Sequence, residues 1–173
     1  NEVAWGQGTE ELVAEGIEKL KKTGVDLIFV ACHWGIEREN YPEAYQLNLG
    51  KKCIDLGADL VIGHHPHVLQ GIEEYKGKLI LHSLGNFCFG ANRNPTDKDT
   101  MIFQQTFTFV DGELSGDMDA LVIPCSVSSV SNRNNFQPTP LAADEATRVI
   151  NRLHTYSADM GIVISEEGIV QVK

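Results

Sequence analysis

The sequence predicts an α/β domain, with parallel strands in its first half and hairpins in its second. Two amphipathic segments, 9–22 and 43–56, each lead into a short apolar run, at 26–32 and 59–63. Apolar runs that alternate with helices are typical of parallel strands buried on both faces. From residue 68 onward, turn residues separate short apolar segments instead, which is the pattern of hairpins.

Both predicted helices have recognisable ends. The first carries acidic residues early and lysines late, which complements the helix dipole, and Gly24 follows it. The second begins after Pro42 and ends at Gly57. The expected buried faces are Leu12, Val13, Ile17 and Leu20 for the first, and Ala44, Leu47, Cys53, Ile54 and Leu56 for the second.

Turn signals define the remaining elements. Lys76-Gly77 and Asp111-Gly112 are flanked by apolar segments, and the second pair is a strong hairpin signal. Residues 1–8 lead into the first helix without a strand pattern, so a first strand-and-helix unit is expected to be missing. The expected strands are 68–75, 78–84, 101–110, 113–123, 162–164 and 169–172, with a helix at 142–156 and loops at 92–97 and 126–140.

The composition fits one soluble globular domain. The chain has 173 residues, of which 42% are hydrophobic and 22% charged. Its net charge of −10 argues against nucleic acid and anionic lipid as general partners, because both require a basic surface. A bound divalent cation reverses the field locally, so an anionic substrate is compatible with this charge. No apolar run reaches the roughly 20 residues of a membrane-spanning helix.

The four cysteines are predicted to be buried free thiols. Cys32, Cys53, Cys88 and Cys125 are widely spaced, and each lies beside apolar neighbours. Cys32 immediately precedes His33 and is a possible metal ligand by position. Strand alternation directs its side chain to the opposite face, however, so we do not expect it in a metal site.

Histidines follow two of the predicted parallel strands. His33 comes after the run 26–32, and His64, His65 and His67 come after the run 59–63. Ligands of α/β proteins bind beyond the carboxyl ends of such strands. On an extended backbone His65 and His67 project to one side, while His64 faces away. With His33 they would form a three-histidine group suited to Zn, Mn, Fe or Ni. The alternative is that these histidines only cap strand ends.

Glu37 and Asn86 are two further candidates for a chemical role. Together with His33 they are the candidate catalytic residues. Glu37 follows His33 by four residues and is placed to orient a ligand histidine or transfer protons. The alternative is a solvent-facing carboxylate. Asn86, between Gly85 and Phe87, is a candidate hydrogen-bond donor, or alternatively part of a tight turn.

The carboxylates needed for a two-metal site are not evident from the pattern. Hydrolytic sites for phosphate esters usually hold two cations bridged by oxygen ligands, and histidine cannot bridge them. Asp26 and Asp59 lie at the amino ends of their strands, away from the histidines. On its own residues, the chain therefore resembles half of a metal centre. His82 is expected to be a strand residue, with a site-facing role as the alternative, and His154 a solvated helix residue.

Four stretches of sequence together resemble one known family. They are 33–37, 55–68, 76–87 with its Ser-Leu-Gly-Asn-Phe ending, and 134–140. The set is similar to the poly-γ-glutamate capsule biosynthesis (CapA) family of the calcineurin-like metallophosphoesterase superfamily. The resemblance implies an α/β sandwich with two mixed sheets flanked by helices. It also implies divalent metal (Mn, Zn or Fe, two in the complete domain) with His33, His65 and His67 as ligands, and hydrolysis of a phosphoester.

The resemblance is to the carboxyl-terminal portion of such a domain. The Gly-Asp and Asn-His motifs that the superfamily carries nearer its amino terminus are missing. Residues 1–173 are therefore expected to be one incomplete domain, inactive alone, whose partner is the missing amino-terminal portion. The complete protein is expected at the cell surface, attached through a membrane segment outside this soluble chain. Its substrate is expected to be a phosphoester or an anionic polymer. The alternative function is non-catalytic binding or export of an anionic polymer.

Overall fold

The structure of the chain, a computed structural model, describes residues 9–116 and 118–173. The expected absence of a first strand concerns residues 1–8 and lies outside that part. Within it there are three helices and eleven strands. They are α1 (Thr9–Lys22), β1 (Phe29–His33), α2 (Ala44–Leu56), β2 (Leu60–His64), β3 (Ile72–Tyr75), β4 (Lys78–Leu81), β5 (Asp99–Thr106), β6 (Phe109–Val110), β7 (Glu113–Leu114), β8 (Asp119–Ser126), β9 (Thr139–Pro140), α3 (Ala143–Tyr156), β10 (Ile162–Ile164) and β11 (Ile169–Val172).

Two sheets form the body of the fold. The first has the order β1-β2-β4-β3, in which β1, β2 and β4 are parallel and β3 is antiparallel. The second has the order β10-β11-β8-β5, with β9 also paired to β8. All pairs described in the second sheet are antiparallel. The predicted α/β sandwich is confirmed, but only the first of these two sheets is mixed.

The alternation of side chains along the first sheet divides the core into two layers. One face packs against the second sheet and α3, and the other packs against α1 and α2. The first layer includes Leu60, Leu79, Val122 and Leu153, and the second includes Ile17, Cys53, Val61 and Ile80. None of the helices in the described ranges is long and apolar enough to cross a membrane.

The buried face of α2 differs from the predicted one. Ala44 is exposed and Leu47 only half-buried, whereas Gln46 is fully buried. The amide of Gln46 is satisfied there, because its Nε2 donates to Gln70 Oε1 at 3.1 Å and its Oε1 accepts from the backbone of Glu43 at 2.9 Å. The second contact belongs to a capping box that begins the helix. In α1, similarly, Leu12 and Leu20 are exposed.

The hairpins occur at the predicted turns. Lys76 and Gly77 have φ of 53° and 76°, and Asp111 and Gly112 have φ of 53° and 85°. Two successive positive φ values match the right-handed twist of the flanking strands, which explains why these dipeptides join β3 to β4 and β6 to β7.

The cysteines are free, as predicted, but not uniformly buried. Cys53 and Cys125 are buried, Cys32 is partly buried and Cys88 is exposed. Cys32 packs with the helix-facing core layer, where a hydrogen bond with Cys53, together with burial, raises the pKa of the Cys32 thiol. The place of Cys32 in that layer agrees with the alternation argument.

Candidate metal centre

The carboxyl ends of β1 and β2 lie side by side. His33, the last residue of β1, is in register with His64, the last residue of β2. Two backbone hydrogen bonds join the loops that follow: Trp34 N donates to His64 O at 2.9 Å, and Arg38 N donates to Pro66 O at 2.7 Å. The predicted meeting of the two histidine-bearing strand ends is therefore present.

A compact group of potential ligands forms between these loops. One ligand atom each from Glu37, His65 and His67 lies within 4.8 Å of the other two. Both histidines are partly buried and Glu37 is exposed, so the group opens to solvent. Two imidazoles and a carboxylate suit Zn, Fe or Mn. Sequence reasoning did not include Glu37 among the potential metal ligands, although its position four residues beyond a strand-end histidine was the available signal.

His33 lies next to this group but outside the compact set. Its ring centroid is 4.5 Å from that of His65, which is in turn 5.8 Å from that of His67. Partial desolvation lowers the pKa of His33, and the neighbouring charges of His65 and His67 lower it further. The neutral imidazole, which is the form that binds metal, is thereby favoured. The ligand role of His33 stays a prediction.

The backbone of this site is unusual. His65, His67 and Arg38 have φ of 104°, 61° and 68°, a region that residues other than glycine seldom adopt. The predicted extended conformation of the His65–His67 pair is therefore wrong, since β2 ends at His64 and the chain turns. Such strained residues cost about 1–3 kcal/mol each and cluster at functional sites. Three such residues lie where β1 and β2 end, which favours a functional role for this part of the fold.

The side chain of Asn86 fixes the ring of His67. Asn86 is buried, its Nδ2 donates to the backbone O of His67 at 3.2 Å, and its Oδ1 lies 2.7 Å from His67 Nδ1. Because a carbonyl only accepts, the first contact orients the amide, and Nδ1 must then carry the proton in the second. Nε2 of neutral His67 is left as the lone-pair nitrogen. Asn86 is therefore a hydrogen-bond donor, and the group that accepts from it is the backbone O of His67.

The other histidines do not belong to the ligand group. His82 is fully buried, with Nε2 3.1 Å from Glu73 Oε2 and its backbone O accepting from Trp34 Nε1 at 2.8 Å. It directly follows β4, and its ring stacks on Trp34 of the helix-facing layer rather than joining the ligand group. His64 and His154 are exposed, and neither belongs to the ligand group.

Fold and site together define an α/β sandwich with a candidate metal centre at the carboxyl ends of two parallel strands. The sequence model of the family described as bacterial capsule synthesis protein PGA_cap matches residues 2–91, just over half of the chain. The chain belongs to this family. The matched part contains every candidate site residue, including Glu37 and Asn86.

Curated relatives agree with this assignment. The chain is 46% identical over 84 residues to capsule biosynthesis protein CapA of Bacillus anthracis, which is 49% of this chain and 20% of that protein. It is 48% identical over 81 residues to PGA biosynthesis protein CapA of Bacillus subtilis, covering 47% of this chain and 21% of that protein. An uncharacterized protein of Sinorhizobium fredii, y4sH, is 43% identical over 67 residues, covering 39% of this chain and 14% of that protein. The chain therefore spans about a fifth of the length of the first two relatives.

Proposed function

We propose that this chain supplies the histidine-bearing part of a divalent-metal centre in a capsule synthesis protein, and that the complete domain hydrolyses a phosphoester. The observation that carries the proposal is the convergence of Glu37, His65 and His67 within 4.8 Å on a strained backbone. Neutral imidazoles and a carboxylate form a donor set that fits Mn, Zn or Fe. The relatives are named capsule biosynthesis protein CapA and PGA biosynthesis protein CapA, which supports a role in capsule synthesis.

The residues have distinct proposed roles. Glu37, His65 and His67 hold the cation, and His33 is the candidate fourth ligand from β1. A bound divalent cation supplies Lewis acidity toward a phosphoryl oxygen. Glu37 also provides a carboxylate at the correct end of the sheet, which the acidic residues Asp26 and Asp59 do not. Further carboxylate ligands are proposed to come from parts of the longer relatives that this chain does not cover.

Loss of a proposed ligand should abolish hydrolysis by the complete protein. With Mn²⁺ or Zn²⁺ and bis(p-nitrophenyl) phosphate as substrate, His67→Ala and Glu37→Gln should each lower kcat/KM by more than about 100-fold. This estimate rests on the about 10–100-fold effects of losing groups that only orient ligands. The control is His154→Ala, an exposed substitution on α3 that should leave kcat/KM unchanged.

The alternative is a non-catalytic component that binds or exports an anionic polymer. The names of the relatives favour it equally, since they refer to capsule and PGA biosynthesis without naming a hydrolytic step. Full metal occupancy with no turnover of phosphomonoesters or phosphodiesters would contradict the hydrolase proposal and support this alternative. Retention of polyglutamate by the protein, measured with and without chelator, then shows whether the metal takes part.

The Asn86 contact leads to a separate prediction. Asn86→Ala should weaken metal binding by about 10–100-fold, because His67 loses the acceptor that fixes its tautomer and ring orientation. Metal affinity is measured by competition with a chelator, and the His67 tautomer by ¹⁵N NMR of the metal-free protein. Asn86→Asp keeps the acceptor and should retain the Nδ1-protonated tautomer, and Asn151→Ala on the exposed side of α3 is the control. An unchanged tautomer and affinity in Asn86→Ala would show that this contact does not position the ring.

A further inference from the structure

A cavity adjoins the candidate ligands on the side of Asn86. It has a volume of about 280 Å³, and its lining includes Glu37, His67, Asn86, Phe89 and Arg38. The ring of Phe89 is 4.9 Å from that of His67, so one wall is aromatic and continuous with the ligand group. The volume lies just below the range of sites for drug-sized ligands, so it fits one small polar group of a larger molecule.

The charged side chains that line this cavity differ in whether a group of opposite charge is paired with them. Asp97, an acid in the lining, is already paired, because Arg152 Nη2 lies 2.6 Å from Asp97 Oδ2. Glu37 belongs to the proposed metal ligands. Arg38 lines the cavity too, and within residues 9–116 and 118–173 no carboxylate pairs with its guanidinium. Once a cation is bound beside Glu37, the cavity has a net positive charge inside a protein of net charge −10.

The backbone holds Arg38 at this position. Its φ of 68° and the hydrogen bond from its N–H to Pro66 O at 2.7 Å fix it to the segment between His65 and His67. Since Glu37 precedes it directly, the same bond places a carboxylate toward the ligand group and a guanidinium beside the cavity. A guanidinium offers paired N–H donors in the geometry that phosphate and carboxylate oxygens accept.

We propose that this cavity is an anion subsite in which Arg38 receives a phosphate or carboxylate group of the substrate, beside the metal centre. The inference rests on the proposed function, since it places the subsite next to that centre. It does not depend on turnover, and it assigns to Arg38 a role in binding and specificity. No feature of the sequence pattern pointed to Arg38, because its cavity is completed by the distant loop that contains Phe89 and Asn92.

The test measures anion binding and metal content separately in the complete protein. Inorganic phosphate and glutamate are titrated in turn by calorimetry, with metal occupancy determined by elemental analysis in each sample. Arg38→Gln should weaken binding of the preferred anion at least about 10-fold and reduce its dependence on salt. Arg93→Gln, an exposed arginine outside the cavity lining, should not change it. The preference between phosphate and glutamate identifies which anionic group the subsite takes.

The outcomes separate this inference from the proposed function. Equal affinity and salt dependence in Arg38→Gln and the unaltered protein would overturn the subsite, as would binding of neither anion to metal-loaded protein. Absence of metal from the unaltered protein would instead contradict the proposed metal centre. If the unaltered protein holds no metal, anion binding that is lost in Arg38→Gln still supports the subsite. If the unaltered protein then binds neither anion in a way that requires Arg38, the subsite is overturned.

Discussion

Gly63→Ala is expected to destabilise the protein by at least about 3 kcal/mol, at the upper end of the cost of overpacking a core. Gly63 lies in β2, where Trp34 Nε1 donates to His82 O at 2.8 Å directly across its Cα. An added Cβ would collide with that carbonyl oxygen, lie 2.7 Å from the His82 carbonyl carbon and lie 2.5 Å from Trp34 Nε1. Two of these atoms are backbone, so no side-chain rotation relieves the overlap. The midpoint of urea unfolding measures the effect.

Gly16→Ala provides the matched control for that substitution. A Cβ at Gly16, in the middle of α1, would meet nothing within 4 Å. The same chemical change should therefore stabilise the protein by about 0.5–1 kcal/mol, because alanine favours the helix. If Gly63→Ala unfolded at the same urea concentration as the unaltered protein, the close packing of β2 against Trp34 and His82 would be contradicted.

Asp99→Ala is the second change with a large expected effect, a loss of about 1.5–3 kcal/mol, because it removes a buried carboxylate that accepts charge-assisted hydrogen bonds from two arginines. Asp99, at the start of β5, is only 6% exposed. Arg148 donates to both of its oxygens, at 2.6 and 2.8 Å, and Arg152 donates to Oδ2 as well. Without this carboxylate, Arg148 keeps Glu145 as its partner and Arg152 keeps Asp97, so the loss is that of the hydrogen bonds that join α3 to β5. Chemical unfolding measures the loss.

The same carboxylate predicts a pH dependence. Burial alone would raise the pKa of Asp99, but hydrogen bonds from Arg148 and the charge of Arg152 outweigh it, so the pKa in the folded state is lowered. Its stabilising contribution is complete above the unfolded pKa of about 3.9 and is lost as pH falls through the folded value. Asp99→Asn should therefore flatten the stability profile below about pH 4.

Glu18→Gln, which removes a solvent-exposed i,i+4 pair with Lys22, should cost less than about 0.5 kcal/mol. Equal losses of stability in Asp99→Asn and Glu18→Gln would contradict the stabilising ion pairs between Asp99 and the arginines of α3.

The parts of the fold that could be predicted are those set by local pattern. Alternating helices and apolar runs indicated the parallel strands, and Lys76-Gly77 and Asp111-Gly112 indicated hairpins because their backbone preferences are short-range. The boundary of α1 matched the predicted 9–22, since its charges and Gly24 mark its ends. The buried face of α2 was not predictable, because burial of Gln46 depends on its partner Gln70, 24 residues away.

The site was predictable in position and only partly in composition, since His65 and His67 belong to the ligand group as predicted whereas Glu37 was not among the predicted ligands. Histidines after two apolar runs indicated which edge of the sheet to consider. The turn at His65 and His67, however, depends on the hydrogen bond between the two loops, and Asn86 reaches His67 from 19 residues further along the chain. Glu37 becomes a candidate ligand for the same reason. These contacts arise only when separate loops meet, so spacing along the sequence does not contain them.

Metal binding by the purified protein, after dialysis and titration with Zn²⁺ in a calorimeter, tests the central claim most directly. We expect at least one Zn²⁺ per chain, with the affinity of that site reduced more than about 100-fold by His65→Ala or His67→Ala, beyond the effect of losing a group that only orients a ligand. His154→Ala, on the exposed face of α3, should bind as the unaltered protein does. Unchanged Zn²⁺ stoichiometry and affinity in His65→Ala and His67→Ala would contradict a metal centre at the ends of β1 and β2.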